Sequence, residues 1–210
     1  MQILLVSATE MEIAPFLSLE NQPDYLITGV GVPACLYHLT KKISGQKYDL
    51  IVQAGIAGSF SAIIKPGETV LVEKEVFADA GALEGKNLSS LFDLGLANKD
   101  EKPFSNGWLE NSGEILRNYP LQKVKGITIN TVSDDAFISQ LYRDKYSPQV
   151  ESMEGAAFHY VCLQENCAFI QMRAISNLVG ERDKSKWKMK LAVDNLHIEL
   201  SKLLAEYSDK

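Results

Sequence analysis

Short apolar runs alternate along this chain with segments of helical periodicity, and this alternation constrains the fold more than any other feature of the sequence. The first run, residues 3–6, is apolar throughout, as in a strand covered on both faces. Similar runs occupy 25–27, 50–52, 69–72, 124–129 and 168–172, and helical periodicity appears at 34–43, 136–146, 153–164 and 189–207. Strands that alternate with helices predict an α/β fold, here a three-layer α/β/α sandwich with a central mixed, mostly parallel sheet.

Two segments fit this alternation less regularly. A helix is expected after the first strand, with Ile13, Phe16 and Leu17 on its apolar face, and Pro15 restricts its start to about residue 12. Gly, Asn, Ser and Lys dominate residues 79–108, which indicates a long excursion or lid outside the core. No linker or internal repeat divides the chain, so residues 1–210 are predicted to form a single domain.

Composition excludes several classes of protein. With 27 acidic and 21 basic side chains the net charge is -6, which argues against a nucleic-acid-binding surface. No apolar run approaches the roughly 20 residues of a membrane span, and the first residues lack the basic start of a signal peptide. The three cysteines have no metal-ligand spacing and indicate buried, reduced thiols in a cytoplasmic protein: Cys35, Cys162 and Cys167.

Ligands of open α/β sheets collect at the carboxyl ends of strands, so polar residues there are candidate site residues. Glu12 follows the first strand, in the turn before the expected helix. A capping box with Thr9 is the structural alternative, which the position of Pro15 weakens. The segment 29–34 formally fits the dinucleotide pattern G-x-G-x-x-A. Its required acid, Asp49, precedes the next strand, so a tight strand-to-helix turn is favoured over a dinucleotide site.

Two further segments carry candidate residues. The small residues 55–58 follow the strand 50–52 and would let a ligand approach backbone amides, although a tight glycine turn is the alternative. They lack the Lys-Ser/Thr ending of a P-loop. Glu154 lies on a helix predicted to begin near Met153 and shares an apolar face with Phe158. A buried carboxylate needs partners, and a vicinal diol of a sugar is suitable, with the helix dipole as the alternative.

The last candidate segment follows the strand 168–172. Asn177 lies near its end, and a charged loop that contains Arg182 comes next. A polar edge of a ligand could be recognised here, or the amide could serve an ordinary Asx turn. No cluster of His and Cys side chains suggests a metal or cofactor, and each of the three histidines falls on a predicted helix without an evident partner: His38, His159 and His197.

Taken together and in order, these segments resemble the nucleoside phosphorylase/nucleosidase superfamily over nearly the whole chain. The motifs are Ala8-Thr9-Glu10-Met11-Glu12, Gly55-Ile56-Ala57-Gly58, Val132-Ser133-Asp134-Asp135-Ala136-Phe137, Met153-Glu154-Gly155-Ala156-Ala157 and Arg173-Ala174-Ile175-Ser176-Asn177. The resemblance implies a nucleoside phosphorylase-like fold. It also implies that Glu12 positions or activates a water, and that Met153 and Glu154 hold the ribose. Phe137 would line the base pocket, and the turn with Ile56 and Ala57 would lie near the sugar.

Asn177 departs from one branch of this superfamily. The resemblance is closest to the methylthioadenosine/S-adenosylhomocysteine nucleosidases and to the futalosine hydrolases. The adenine-cleaving nucleosidases carry an aspartate at this position, which protonates purine N7. An amide cannot transfer that proton, but it can donate hydrogen bonds to N7 or to a 6-oxo group. Asn177 therefore favours hypoxanthine over adenine as the leaving group.

The arginines favour water over phosphate as the nucleophile. The chain has four, at positions 117, 143, 173 and 182, and none lies in the first 116 residues. Phosphorylases of this superfamily hold phosphate with arginines from the N-terminal half, through bidentate contacts that lysine does not reproduce. The resemblance therefore implies a hydrolase, with a dissociative mechanism and an oxocarbenium-like sugar.

Residues 176–187 and 151–155 look specifically like the futalosine hydrolases. These enzymes split futalosine into hypoxanthine and dehypoxanthinyl futalosine in one route to menaquinone. Arg182 is a candidate for the benzoate on the substrate's 5′ tail, although a solvated loop charge is equally consistent. The resemblance also implies a homodimer that needs no cofactor. The alternatives are an adenine-releasing nucleosidase, a purine nucleoside phosphorylase and a non-catalytic nucleoside-binding protein.

Overall fold

The computed structural model describes residues 1–19 and 23–208. Its strands are β1 (Ile3–Ser7), β2 (Asp24–Ile27), β3 (Leu50–Ser59), β4 (Thr69–Glu75), β5 (Gly81–Glu84), β6 (Asn87–Ser90), β7 (Leu109–Glu110), β8 (Lys123–Thr128), β9 (Val150–Ser152) and β10 (Phe169–Leu178). Its α-helices are α1 (Val32–Gly45), α2 (Glu114–Asn118), α3 (Ala136–Tyr146), α4 (Gly155–Gln164) and α5 (Met189–Ser208). Short 3-10 helices span Glu10–Glu12, Ala14–Ser18 and Lys184–Lys186.

The main sheet is mixed and mostly parallel, as predicted. Its strand order is β10-β4-β8-β9-β3-β1-β2, with β7 added to β4. The strands β1, β2, β3 and β10 run parallel to their neighbours in the order β2-β1-β3-β10, whereas β4 is antiparallel to β10 and β9 is antiparallel to β3. Because β3 pairs with both β9 and β10, five strands close into a ring. The predicted α/β class is confirmed, but the three-layer sandwich is not, since the sheet closes partly on itself.

Helices pack on both sides of the open part of the sheet. One cluster joins Leu5 of β1 to Leu196 and Leu200 of α5, and the other joins Leu4 of β1 to Leu39 of α1. Successive residues of a strand point to opposite faces, so the uninterrupted apolar run of β1 supplies both clusters. Glu12 follows the end of β1 and lies between α5 and β3.

Several elements begin or end where the periodicity predicts. The helices α3 and α5 match the predicted segments closely, whereas α4 starts at Gly155, with Glu154 as its N-cap residue instead of a member of its apolar face. The helix predicted after β1 is wrong: two 3-10 helices take its place, and Pro15 lies in the first turn of the second. Thr9 and Glu12 do form the reciprocal capping box.

The strands β3 and β10 extend well beyond their apolar runs. The small residues 55–58, predicted as a turn, continue β3, and Arg173 to Asn177 continue β10. The two strands pair in parallel from Ile51 and Phe169 to Ser59 and Leu178, with an irregularity between Ile175 and Asn177. The pairing between the two strands continues through polar and glycine residues, and this extension places Ile56, Ala57 and Asn177 on the sheet itself.

Residues 79–108 lie largely outside the core, as predicted. They contain the β5–β6 hairpin and a series of turns. Phe92 and Phe104 pack edge to face, with ring centroids 5.1 Å apart, and Phe104 also contacts Tyr160 of α4. The segment is therefore fastened to α4 by aromatic contacts.

Two further predictions concern cysteines and membrane spans. All three cysteines are free; Cys35 and Cys162 are buried as expected, whereas Cys167 is partly exposed. Within residues 1–19 and 23–208, every helix is too short or too polar to cross a membrane.

Candidate active site

A cleft of about 210 Å³ opens where β3, β9 and β10 end beside the start of α4. Its walls include five of the residues that the sequence predicts for the site, namely Ile56, Ala57, Met153, Glu154 and Asn177. A larger groove of about 460 Å³ lies at the amino end of β1, around Gln2, Asp24 and Tyr48. That groove contains none of the predicted site residues, so the smaller cleft is the candidate active site.

Glu12 is buried beside this cleft, next to its wall residue Ile56, with 5% of its surface exposed. Its Oε2 atom accepts hydrogen bonds from the Ser7 hydroxyl at 2.9 Å and from the Thr9 amide and hydroxyl at 3.0 Å. Its Oε1 atom accepts from the Ile56 amide at 3.1 Å, and Ile56 lines the cleft. The capping box therefore does not compete with a functional role, because it fixes one oxygen while the other points to β3.

A histidine supports Glu12 from α5. The Nε2 atom of His197 lies 2.9 Å from the Glu12 carbonyl oxygen, and its ring packs edge-on against Phe16 at 5.8 Å. His159 of α4 is also partnered, with Nδ1 3.0 Å from the Leu109 carbonyl oxygen, and burial lowers its pKa to about 3. The expectation that these histidines lack partners is wrong for both, since backbone carbonyls from distant segments meet them.

Arg173 lies between the two candidate carboxylates. It is 1% exposed and donates from Nη2 to the Gln53 side-chain oxygen at 2.8 Å. Its Nη2 is 3.9 Å from Glu154 Oε2. Gly55 is its cross-strand partner, and a Cβ there would lie 2.2 Å from Arg173 Nη1 and 3.0 Å from Glu12 Oε1. The missing side chain of Gly55 therefore leaves room for both the Arg173 guanidinium and the Glu12 carboxylate beside β3.

Glu154 binds the glycine turn after β2. Its Oε1 atom accepts a hydrogen bond from the Gly31 amide at 2.8 Å, and Gly31 has a φ of 95°, which favours glycine. Burial raises the pKa of Glu154, whereas Arg173 and the Gly31 amide lower it. The strand-to-helix turn that the sequence favours over a dinucleotide site thus serves to hold a carboxylate in the cleft.

Asn177, Gly58 and Glu151 form one row across three strands. Gly58 of β3 is registered with Asn177 of β10 on one side and with Glu151 of β9 on the other. The Ser176 hydroxyl donates to Asn177 Oδ1 at 2.7 Å, and Asn177 Nδ2 donates one hydrogen bond to the Leu178 carbonyl at 2.9 Å. An amide nitrogen has two hydrogens, so a second remains for a ligand.

Two predicted residues lie away from the walls of the cleft. Phe137, in the first turn of α3, is 37% exposed and is absent from the cleft lining, although Val132 of the preceding segment is present. Arg182 is exposed in the loop after β10, where its guanidinium lies 5.5 Å from the centre of the Trp187 ring. Trp187 lines the cleft, so Arg182 contacts a wall residue but does not line the cleft itself.

A metal is not suggested by the part of the chain that the structure describes. Within it, no group of three or more His, Cys, Asp and Glu side chains has the arrangement of a metal site. The charged groups of the cleft are instead carboxylates with one buried guanidinium. Such a set can bind hydroxyls, orient a water and stabilise developing positive charge on a ligand.

Comparison with known proteins shows the family to which the chain belongs. A family model described as the phosphorylase superfamily matches residues 25–205 of this chain. The chain belongs to the phosphorylase superfamily. The matched range includes every wall residue of the cleft, from Val30 to Trp187, whereas Glu12 precedes it.

Relatives within the superfamily include a futalosine hydrolase from Thermus thermophilus. It is 33% identical over 97% of this chain and 95% of its own length. Among solved structures, a methylthioadenosine/S-adenosylhomocysteine nucleosidase from Neisseria meningitidis superposes with a TM-score of 0.80 and 15% identity, covering 96% of this chain and 97% of the other. A futalosine hydrolase from Helicobacter pylori gives 0.76 and 15%, covering 99% and 97%. These two structural matches concern the fold.

Three residues of this phosphorylase-superfamily site were missed by the sequence analysis. Arg173 appears there only as part of a motif, and Glu151 and Trp187 only within the segments 151–155 and 176–187. The sequence contained a signal for the first two: each is a charged residue beside apolar residues at a strand, which requires a buried partner. The partners of Arg173 are Gln53 of β3 and Glu154 at the start of α4, and no pattern in the sequence indicates them.

Proposed function

We propose that this protein hydrolyses the N-glycosidic bond of futalosine and releases hypoxanthine and dehypoxanthinyl futalosine. Asn177 is the observation that carries the proposal. One hydrogen of its amide nitrogen is available at the cleft, while its oxygen accepts a hydrogen bond from Ser176. It therefore offers a hydrogen-bond donor, and not a transferable proton, to a purine. That suits a 6-oxopurine, and the similarity to the Thermus thermophilus futalosine hydrolase supports the same leaving group.

Glu154 binds the ribose in this proposal. One of its oxygens accepts from Gly31, and the other is 3.9 Å from Arg173, which leaves acceptor positions for the vicinal hydroxyls of a sugar. Met153 lines the cleft beside it and contacts the same sugar. Because Glu154 is buried, its hydrogen bonds to the diol form in a region of low dielectric and hold the sugar strongly.

Glu12 orients and activates the attacking water. Its four hydrogen bonds to Ser7, Thr9 and Ile56 hold the carboxylate beside the end of β3. As the bond between the sugar and the base breaks, positive charge develops on the sugar, and the carboxylates of Glu12 and Glu154 stabilise it. Glu12 then takes a proton from the water that adds to the anomeric carbon. The purine leaves as an anion that accepts a hydrogen bond from Asn177, and it takes up a proton from solvent to give hypoxanthine.

Arg173 lets two carboxylates share one buried site. Burial and the neighbouring charge of Glu12 both raise the pKa of Glu154, and Arg173 opposes this shift. Arg173 also has few hydrogen-bond donors left for a phosphate, because it is buried and bonded to Gln53. Of the other arginines, Arg117 is exposed on α2 and does not line the cleft. Arg143 donates to the Phe60 carbonyl, and Arg182 stacks on Trp187. Water is therefore the nucleophile that these side chains support.

Several expectations about the wider site are part of the proposal. Arg182, beside Trp187, binds the carboxylate of the 5′ tail, and Phe137 lines the base pocket once substrate is bound. We expect a homodimer whose partner subunit helps to cover that tail. We also expect the enzyme to act in the cytoplasm, within menaquinone biosynthesis, and to need no metal or cofactor.

Incubation with futalosine tests the proposal. Purified protein should release hypoxanthine without added phosphate, as followed by chromatography, and the sugar product should be dehypoxanthinyl futalosine. A strict requirement for phosphate, with a sugar phosphate as product, would identify a phosphorylase instead. Tight nucleoside binding without turnover would identify a binding protein.

A further inference from the structure

Glu75 of β4 is a carboxyl group in the core that the proposed mechanism does not use. It is fully buried and does not line the cleft. Its Oε1 atom accepts a hydrogen bond from Gln171 Nε2 at 2.9 Å, and its Oε2 atom accepts one from the Thr128 hydroxyl at 3.1 Å. Burial raises the pKa of Glu75 to about 7, and Gln171, Arg173 and Thr128 oppose that shift. Because an apolar side chain at this position would avoid the cost of a buried charge, the groups that Glu75 holds indicate its role.

Two glycines leave the room that the Glu75 carboxyl group occupies. A Cβ built on Gly126 of β8 would lie 2.6 Å from Glu75 Oε1, and one built on Gly155 would lie 2.0 Å from the same atom and 2.5 Å from Gln171 Nε2. Neither glycine has a positive φ, so only the space is restricted at these positions. Gly155 directly follows Glu154 and is the first residue of α4. The carboxyl group of Glu75 therefore lies against the start of that helix.

Thr128 connects Glu75 to the first turn of α4. Its Oγ1 atom accepts a hydrogen bond from the Ala156 amide at 2.7 Å, and this amide is one of the first N–H groups of the helix, which have no partner within it. A threonine hydroxyl has one hydrogen, so Oγ1 accepts from Ala156 and donates that hydrogen to Glu75. A carboxylate suits this position, because the start of a helix attracts negative charge. The three groups therefore form one chain of hydrogen bonds from the helix to the carboxylate.

This chain of hydrogen bonds ends close to Glu154 in the sequence. Glu154 is the N-cap residue of α4, and Ala156 is the second residue of the helix. The Gly155 amide between them donates to the Ser152 hydroxyl at 3.1 Å. Both amides that follow Glu154 are thus held by hydroxyls of neighbouring strands, Ser152 of β9 and Thr128 of β8. Of these two hydroxyls, that of Thr128 is held in turn by a buried carboxylate.

Gln171 connects Glu75 to the strand that carries Arg173. The two residues are alternate members of β10, so their side chains lie on one face of that strand, and both are buried. The positive charge of Arg173 lowers the pKa of Glu75, since the two opposite charges attract each other. Arg173 Nη2 in turn lies 3.9 Å from Glu154 Oε2. Glu75 is therefore linked to Glu154 by two routes, one through Thr128 and one through β10.

We propose that Glu75 is a positioning residue: through Thr128 and the Ala156 amide it fixes the start of α4 and so holds Glu154 where it meets the ribose hydroxyls. The inference rests on the proposed function, because it takes Glu154 to bind the diol. Glu75 itself touches no substrate. Loss of the connection lets the start of the helix shift, and a shift of a fraction of an ångström weakens the charged hydrogen bonds to the sugar. The effect of the loss therefore depends on the presence of those hydroxyls.

The test compares futalosine with its 2′-deoxy analogue, which lacks one of the two hydroxyls, at pH 8, where Glu75 is ionised. Thr128→Val keeps the shape of the side chain and removes the hydroxyl. We expect the ratio of the two kcat/KM values, ribose over 2′-deoxyribose, to fall about 10-fold in Thr128→Val and in Glu75→Gln, because a charged hydrogen bond to the sugar is weakened. Thr128→Ser keeps the hydroxyl and should keep the wild-type ratio. Thr40→Val, exposed on α1, is the matched control and should behave as wild type.

Equal loss of both activities at an unchanged ratio would overturn the inference, since a merely structural carboxylate would act in that way. If Glu75→Gln does not fold, Thr128→Val decides alone, and a wild-type ratio in that variant overturns the inference. Equilibrium dialysis with inosine and 2′-deoxyinosine separates the two proposals. A preference for inosine that Thr128→Val reduces, in a protein that does not cleave futalosine, supports the positioning role and refutes the proposed function alone. An equal preference in wild type and Thr128→Val overturns the positioning role whether or not futalosine is cleaved.

Discussion

Replacing Gly55 with alanine tests whether the close approach of β3 to Arg173 organises the site. The backbone at Gly55 has no positive φ, so alanine is allowed there and only the space is at issue. The new Cβ would lie 2.2 Å from Arg173 Nη1 and 3.0 Å from Glu12 Oε1, both shorter than ordinary contacts. The guanidinium must move, and its movement stretches the 2.8 Å hydrogen bond to Gln53.

Loss of that charged hydrogen bond should lower the free energy of unfolding by about 1.5–3 kcal/mol. Displacement of Glu12 by a fraction of an ångström should lower kcat by up to roughly 100-fold, because catalytic geometry tolerates little misplacement. Urea denaturation and initial-rate kinetics on futalosine measure the two effects. Gly45→Ala, at the end of α1 with nothing within 4 Å of the new Cβ, is the control and should be neutral or slightly stabilising. Wild-type stability and kcat in Gly55→Ala would refute this account of the site.

Two more substitutions test individual roles. Glu12→Gln should lower kcat by about 10²- to 10⁴-fold with little change in nucleoside affinity, because it removes the general base, and rapid-quench kinetics with binding assays measure this. The exposed Glu10→Gln should leave kcat unchanged, and equal effects of both would contradict the role of Glu12. Asn177→Asp should raise adenine release relative to hypoxanthine release by about 10-fold or more, because an aspartic acid can protonate N7. An unchanged product ratio, read by chromatography, would argue against Asn177 as a base contact.

Local periodicity predicts the longer helices of this chain well. The helices α3 and α5 carry long amphipathic patterns, and their bounds match the prediction closely. The segment after β1 fails because its apolar positions are few, and Pro15 with the capping box of Thr9 and Glu12 breaks it into two 3-10 helices. The secondary structure of a short segment depends on such contacts and on what packs against it. Hydrophobic periodicity does not report either of these.

The extent of the strands depends on pairing that is distant in sequence. Apolar runs locate β3 and β10, but the polar and glycine residues that extend them are strand residues only because the two strands pair with each other. That pairing also closes the ring, which the prediction of a simple sandwich omits. The strands β3 and β10 are about 120 residues apart, so their register depends on the whole fold. No local sequence pattern predicts it.

Some residues of the candidate site can be predicted from the sequence, and others are recognised only in the structure. Glu12, Glu154 and Asn177 are recognisable in the sequence because each lies at an end of a strand or helix in a known motif. Arg173 and Glu151 become functional candidates only in three dimensions, when Gly55 and Gly58 are seen to make room beside them. The glycines of β3 therefore do not form a turn. They lie within the strand, and their missing side chains leave room for the residues of the site.

A competition assay tests the central claim most directly. Equal concentrations of futalosine and its adenine-containing analogue are incubated with the protein at pH 8 without phosphate, and the free bases are separated by chromatography. The account predicts that hypoxanthine accumulates in large excess over adenine. Adenine in excess, or no free base until phosphate is added, would contradict it.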